Sequence, residues 1–348
     1  MRFLIIRLSS IGDIVHALPA ATALARTFPD AEVDWVVEAR HAALLEGNPW
    51  VKRVVKLDTL GWRNNLSSAT VIEEVARGMA LLRQENYDAT LDFQGLIKSA
   101  IISRFSRSPR RLGFAEHWLR EPAAGIFYDE RVSPRHRRHI IEINFSLVEH
   151  LGARNPGPEK WEFPLPRTQP DDAYIEEQLA CFGAKEFMVM NPGGGWQAKR
   201  WAPRQYAELI RSLEPEFGGK IFITGSPEEE GLIHEILSLA NSRRAHYFPS
   251  TLVQLIALVR HAQLFLSGDT GPLHLAAAVR TPIVAIFGTT DPLNTPGRNG
   301  PFIPADITLS NGGPLSSWRE TKAPHYIEGV TTENVLTAVR ERMARAHV

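Results

Sequence analysis

Four side chains of this sequence, Asp13, Lys98, Lys199 and Asp269, have types and positions that suit ligand binding or catalysis. Each lies in a polar loop that follows a short apolar run and precedes a helical pattern; for Asp13 the apolar run is Phe3–Ile6. Such runs predict buried parallel strands, and open α/β sheets bind ligands beyond the carboxyl ends of their strands. We therefore expect all four to face ligand sites. The alternative for Asp13 is that it only caps its helix, a common role of aspartate at a helix start.

Both lysines are placed to meet anions. Lys98 lies at a predicted helix start, where its charge opposes the helix dipole, so a bound anion explains it better than helix stability does. Lys199 follows three glycines in NPGGGWQAKRW at 191–201. Those glycines allow the backbone to approach a ligand closely and to adopt positive φ angles. The segment matches neither a P-loop nor a GxGxxG fingerprint, so it predicts neither of those sites.

Asp269 lies in SGDTGPLHLAAA at 267–278. Pro272 and small residues at this helix start leave backbone N–H groups available for a pyrophosphate. Because a carboxylate repels phosphate, Asp269 is expected to accept sugar hydroxyls or to cap the helix, while Thr270 and Gly271 offer donors. Glu229, in an acidic cluster after the preceding predicted strand, would bind ribose hydroxyls or is ordinary first-turn acid.

Arginine is concentrated between positions 104 and 138. The residues are Arg104, Arg107, Arg110, Arg111, Arg120, Arg131, Arg135, Arg137 and Arg138. The stretch is either a solvated face or an anion-binding rim, because guanidinium groups pair with phosphates and carboxylates.

Composition sets outer limits on the interpretation. A chain of 348 residues fits two domains, and the proline-rich segment from Gly152 to Pro170 is the predicted linker. Since 39 basic residues balance 39 acidic ones, no global charge favours nucleic acid. The single cysteine, Cys181, excludes an internal disulfide and indicates a reducing cytoplasm, where we expect a buried, inert thiol. No apolar run is long enough to span a bilayer.

Five segments together resemble a known family, the lipopolysaccharide heptosyltransferases of glycosyltransferase family nine. They are SSIGDIVHALPA near the start, DFQGLIKSA at 92–100, LREPAAG at 119–125, PGGGWQAKRW at 192–201 and SGDTGPLHLAAA at 267–278. QGLIKS, REP and the WVVE stretch at Trp35 are most similar to the heptosyltransferase I branch, whereas PGGGWQAKRW is more like other branches. The resemblance implies an α/β GT-B architecture with two Rossmann-like domains facing across a cleft. Residues 1–166 would bind the acceptor and residues 167–348 the nucleotide sugar, with the final helix free to pack back on the first domain.

The resemblance also implies an inverting transfer of heptose from ADP-L-glycero-D-manno-heptose to the Kdo region of lipid A, without metal or other cofactor. Asp13 would be the general base, and Lys199 would stabilise the leaving diphosphate. The implied donor site comprises Gly194, Gly195, Lys199, Glu229, Thr251, Asp269, Thr270, Gly271 and His274. Gly194 and Gly195 replace threonines of the heptosyltransferase I pattern, so only their backbone can donate. The acceptor candidates are Ser10, Gly12, Arg63, Lys98, Arg120 and His139; for His139 a structural role is an equal alternative.

The acceptor would be an anionic glycolipid, so the enzyme would be cytoplasmic and peripheral on the inner membrane. Heptosyltransferase II, or another family-nine sugar transferase, is the alternative within the family. A non-catalytic nucleotide-sugar binding protein would retain the donor loops but would not need Asp13. A nicotinamide oxidoreductase is disfavoured because SSIGD is not a glycine fingerprint.

Overall fold

The computed structural model describes residues 1–59, 61, 69–134, 139–195, 197–288, 307–310, 327 and 329–346. The chain forms two compact units, Met1–Pro166 and Arg167–Val348. Both are α/β units built on a parallel sheet.

In the first unit, apolar runs form six parallel strands. These are β1 (Arg2–Ile6), β2 (Glu32–Glu38), β3 (Arg53–Leu57), β4 (Ala89–Asp92), β5 (Arg111–Phe114) and β6 (Glu130–Val132). The α-helices described here are α1 (Ile11–Thr27), α2 (Ala69–Arg83), α3 (Ile97–Phe105) and α4 (Ile140–Glu149). The strand order is β3-β2-β1-β4-β5-β6, so the topology switches direction between β1 and β4.

The second unit has the same plan. Its strands are β7 (Phe187–Asn191), β8 (Lys220–Ile223), β9 (Ala245–Tyr247), β10 (Leu264–Gly268), β11 (Ile283–Phe287) and β12 (Ile307–Ser310). Its α-helices are α5 (Gln169–Cys181), α6 (Pro203–Leu213), α7 (Glu230–Ala240), α8 (Leu252–His261), α9 (Gly271–Ala278) and α10 (Thr332–Ala346). The order β12-β11-β10-β7-β8-β9 repeats that of the first sheet, with its switch point between β7 and β10.

Burial on both faces of the second sheet explains its continuous apolar strands. Leu264 and Leu266 of β10 contribute to one core cluster, while Phe265 between them contributes to the other. Alternate side chains therefore enter opposite layers. Helix α10 packs against α6 and the strands β10 to β12 of its own unit, whereas the sequence had left open packing on the first domain. Cys181 is exposed at the end of α5, so the expectation of a buried thiol is wrong.

Among the helices that the structure describes, none combines the length and the apolar character that a membrane-crossing segment needs.

Candidate active site

Asp13 lies in the first turn of α1, just beyond the carboxyl end of β1. One carboxylate oxygen, Oδ2, accepts hydrogen bonds from the backbone N–H of Ser10 at 2.9 Å and from the Ser10 hydroxyl at 3.0 Å. The other oxygen pairs with Arg7 at 2.5 Å. The capping interpretation is thus confirmed, but capping uses only one oxygen, and 28% of the side chain stays exposed. Gly12 is buried beside it in the same turn.

Arg7 is the residue that fixes Asp13. Its guanidinium is buried, donates to the carbonyl of Phe93 beyond β4, and forms the ion pair with Asp13. Arg7 therefore joins the two strands at the switch point of the first sheet. A buried guanidinium needs a charged partner, because an isolated buried charge is costly. This requirement orients the carboxylate.

The loop after β4 supports the same corner. Gln94 accepts hydrogen bonds from the backbone N–H groups of Leu8 at 3.1 Å and Ser9 at 3.3 Å. Asp92 accepts from the backbone N–H of Gln94 at 2.8 Å and from the Tyr128 hydroxyl at 2.7 Å. Burial raises the pKa of Asp92, against the effect of these hydrogen bonds. These contacts join the ends of β1 and β4 into a firmly held platform for Asp13.

Lys98 is held at the carboxyl edge of the same sheet. Its Nζ donates to the Thr59 hydroxyl at 2.9 Å and lies 3.6 Å from the carboxylate of Glu38, which is buried at the end of β2. Thr59 also donates to Glu38 through its backbone N–H. Lys98 thus has an internal carboxylate partner. The ion pair with Glu38 explains part of why a lysine lies here, whereas the sequence alone had pointed to a bound anion.

Arg120 and His139, two further acceptor candidates, lie in segments with different local contacts. Arg120 is exposed, and its neighbour Glu121 accepts the backbone N–H of Ile97 at 2.7 Å, which brings this segment beside the start of α3. His139 caps α4, with Nδ1 accepting from the backbone N–H of Ile141 at 3.2 Å. Its ring lies 5.6 Å from that of His16, one turn beyond Asp13. The structural role of His139 is therefore observed, and its role toward an acceptor stays a prediction.

Several arginines of the 104–138 stretch are paired inside the first unit. Arg110 binds Glu130, with its Nε 2.6 Å from a carboxylate oxygen, and Arg111 pairs with Asp129 at 2.6 Å. Arg131 pairs with Glu116 at 2.7 Å. These residues belong to β5, β6 and the turns around them, so much of the stretch joins strands. Arg63, Arg135, Arg137 and Arg138 lie outside the described residues.

In the second unit, Lys199 and Asp269 meet at the switch point between β7 and β10. Lys199 Nζ lies 2.5 Å from Asp269 Oδ2, and His274 Nε2 lies 3.8 Å from the other carboxylate oxygen. Burial acts to raise the pKa of Asp269, but the hydrogen bond from His274 and the charge of Lys199 together lower it well below its ordinary value. The carboxylate expected to repel phosphate is therefore paired with Lys199 and lies beside His274.

The glycine-rich loop is shaped by Glu229. This carboxylate accepts the backbone N–H groups of Gly194 and Ser226, each at 3.0 Å. Gly193, Gly194 and Gly195 do not adopt the positive φ angles that glycine allows. A Cβ at 193 would displace the Glu229 carboxylate, so glycine there preserves the contact of Glu229 with the loop. Glu229 therefore orders the loop, and the Gly194 N–H is already engaged.

Two helix starts complete the predicted donor residues. Thr270 caps α9 and accepts the backbone N–H of Leu273 at 3.4 Å, and Gly271 is the first residue of that helix. The first turn of α9 therefore presents its backbone N–H groups at the carboxyl edge of the second sheet. Thr251 caps α8, accepting from the backbone N–H of Gln254 at 3.2 Å, and is exposed.

The residues that orient the predicted ones were not identified as site residues from the sequence. Arg7, Glu38, Thr59, Asp92 and Gln94 all lie at or just beyond strand ends of the first sheet. Arg7 could have been identified from the sequence, because it is a charged residue directly after a buried strand. The partners of these residues are far away in the chain, and no local pattern predicts them.

Comparison with known proteins shows the family. A family model described as glycosyltransferase family 9 (heptosyltransferase) matches residues 75–319. Lipopolysaccharide heptosyltransferase 1 of Pseudomonas aeruginosa is 30% identical over 319 residues, which cover 91% of this chain and 85% of that protein. Its namesake in Escherichia coli K12 is 31% identical over 297 residues, which cover 84% of this chain and 89% of that protein.

A solved structure agrees over nearly the whole chain. The structure of E. coli heptosyltransferase WaaC with ADP-2-deoxy-2-fluoro heptose matches with a TM-score of 0.75 and 27% identity, covering 98% of this chain and 99% of that one. The match to this structure, together with the two parallel-sheet units, shows that the fold is GT-B. The chain therefore belongs to glycosyltransferase family 9, the heptosyltransferases, and is a glycosyltransferase.

Proposed function

We propose that the protein transfers heptose from ADP-heptose to the Kdo region of lipid A during synthesis of the lipopolysaccharide inner core. The observation that carries this proposal is the Lys199–Asp269 pair beside the start of α9, at the switch point of the second sheet. A lysine and helix N–H groups at this place suit a diphosphate. Relatives named lipopolysaccharide heptosyltransferase 1, and a related structure holding an ADP-heptose analogue, support this donor and this branch.

In this reaction the acceptor hydroxyl oxygen forms a bond to the anomeric carbon of heptose. The bond from that carbon to the diphosphate oxygen breaks, and ADP leaves with the bonding electrons. Asp13 takes the hydroxyl proton, a role that commonly contributes about 10²–10⁴-fold. Its exposed fraction and its fixed contacts with Arg7 and Ser10 suit a general base. Attack opposite the leaving group inverts the anomeric configuration.

Charge grows on the diphosphate as the bond breaks, so groups that bind this charge favour the transition state. Lys199 and the first turn of α9 would supply that stabilisation. Asp269 would position Lys199, and Glu229 would hold the Gly194 loop in place. Gly195, Thr251 and His274 stay predicted donor contacts.

The acceptor would meet the first unit. Ser10 and Gly12 flank Asp13 at the start of α1, and His139 lies beside His16 of the same helix. Lys98 and Arg120 would supply cations, which suit Kdo carboxylates and lipid A phosphates. Because that acceptor is a membrane glycolipid, we infer a cytoplasmic enzyme that works on the inner face of the inner membrane.

Product analysis tests the proposal. Purified protein is given ADP-heptose and Kdo-lipid A acceptors that carry no, one or two heptoses, and the products are measured by mass spectrometry. We expect one heptose to be added to the acceptor that has none. Transfer only to an acceptor that already carries heptose would assign the protein to a later step. An absence of transfer to every acceptor would contradict the proposed donor or chemistry.

A further inference from the structure

An open pocket of about 600 Å³ lies at the amino-terminal edge of the second sheet. It is lined by Arg211, Glu214, Pro215, Lys220, Arg243 and Arg244. Arg211 is in the last turn of α6, Lys220 begins β8, and Arg243 and Arg244 directly precede β9. Three elements therefore bring four cationic side chains and a single carboxylate to one depression.

Neutral groups hold three of these cations in place. Arg211 donates to the carbonyl of Leu239 at 2.6 Å, and Arg244 donates to the carbonyl of Gly218. Lys220 Nζ lies 3.3 Å from His246 Nε2. Burial and the charge of Lys220 lower the pKa of His246, which keeps its ring neutral and able to accept this hydrogen bond. The side chains are thereby ordered without loss of their charge.

The four cations of the pocket lack the carboxylate partner that several arginines elsewhere in the chain have. Arg110, Arg167 and Arg340 each pair with a carboxylate, at 2.6, 2.8 and 2.5 Å respectively. Within the described parts of the chain, none of the four pocket cations has a carboxylate within 4.0 Å. The pocket is therefore positively charged, although the whole chain has no net charge. Guanidinium forks beside an ammonium suit the oxygens of a phosphate group.

We propose that this pocket binds a phosphate group, at a site distinct from the donor site. Lys220 and Arg244 lie at the starts of parallel strands, whereas Lys199 and Asp269 follow the carboxyl ends of strands in the same sheet. The two sites are therefore at opposite edges of the second unit. The phosphate can come from a phospholipid headgroup or from a soluble anion, and the chemistry of recognition is the same for both.

The test compares the wild type with Arg211→Gln/Arg243→Gln, which changes two exposed residues of the pocket. Arg204→Gln is the matched control, since Arg204 is exposed on the same helix seven residues, or about 10 Å, from Arg211. Calorimetry with inorganic phosphate measures the soluble ligand. Flotation with phosphatidylglycerol/phosphatidylcholine vesicles, and with phosphatidylcholine alone, measures the lipid. Thermal melting verifies that each variant is folded.

Each neutralised charge is expected to weaken vesicle binding about fivefold, so the double variant should lose about 25-fold while the control stays near wild type. Loss of binding to charged vesicles would support the site with a headgroup as its ligand. Loss of phosphate binding, with no vesicle binding by the wild type, would support it with a soluble ligand. The proposal is overturned if the wild type binds neither probe, or if the double variant and the control bind alike.

Discussion

Replacing Asp13 by asparagine separates its two observed roles. Asparagine keeps one oxygen that can accept the Ser10 N–H, so the helix cap is retained in part. It loses the negative charge that pairs with Arg7 and the basicity that would take a proton from the acceptor. We expect a folded protein that binds ADP but turns over substrate about 10²–10⁴-fold more slowly.

The structure limits how much of this loss could come from unfolding. Removing one partner of a fully buried ion pair costs about 3–5 kcal/mol, and an exposed pair contributes about 0–1 kcal/mol. Arg7 is 8% exposed and Asp13 28% exposed, which places the cost between these limits, at about 1–2 kcal/mol. A domain stable by about 5–15 kcal/mol retains at least about 3 kcal/mol, so under about 1% of it is unfolded.

The assay measures kcat from ADP release at saturating substrates, together with the melting temperature and ADP affinity. Arg7→Met is the matched control, because it breaks the same ion pair but keeps the carboxylate. It removes the buried charge and leaves the more exposed carboxylate, so it should be no more destabilised than Asp13→Asn and should retain more turnover, and Arg7→Lys should recover part of the difference. Near-normal kcat in Asp13→Asn would refute the general-base role. Equal kcat losses in Asp13→Asn and Arg7→Met would assign the whole effect to the ion pair.

Three further predictions concern charges in both units. Lys199→Ala should weaken ADP binding and lower kcat together, because it removes diphosphate stabilisation and leaves Asp269 without its cation. Calorimetry with ADP and steady-state kinetics measure the two effects. If both are unchanged, the donor binds elsewhere. Arg120→Glu should raise the KM for the acceptor and leave the ADP affinity unchanged. The control Arg104→Glu changes an exposed residue of the same stretch and should leave the acceptor KM unchanged. If the two variants have equal acceptor kinetics, the arginine stretch is a solvated face. Burial, with the charge of Arg40, lowers the pKa of His41 to about 4 from an ordinary 6.5. The unfolded chain therefore binds a proton that the folded chain does not between pH 6.5 and pH 4, so stability should fall by up to about 3 kcal/mol as pH is lowered through this window. Denaturant melts of wild type and His41→Gln at several pH values measure this, and identical pH dependence would contradict it.

Local patterns in the sequence predicted most of the elements that place the candidate sites. The first strand was predicted at Phe3–Ile6 and is observed at Arg2–Ile6, and the helix start predicted at Pro272 is observed one residue earlier, at Gly271. Continuous apolar runs identify strands buried on both faces, and proline marks a helix start, without any knowledge of the rest of the chain. The sequence also predicted that Asp13, Lys98, Lys199 and Asp269 follow strand ends.

Pairings between distant residues were decided by strand order. Lys199 and Asp269 are 70 residues apart, and Arg7 and Phe93 are 86 residues apart. Each pair meets because the sheet places β7 beside β10 or β1 beside β4. Arg111 of β5 and Arg131 of β6 pair with internal carboxylates for the same reason, although their local density had left an anion-binding rim as one of two interpretations.

The amino-acid sequence by itself determined which segments form strands and helices and which side chains follow the strand ends, because periodicity and propensity act over a few residues. Only the tertiary structure decided how those side chains are paired and oriented. Glu229 orders the glycine loop, His274 and Lys199 lower the pKa of Asp269, and Arg7 fixes Asp13. Electrostatic and steric interactions depend on distance in space, and folding brings together residues that no local pattern relates.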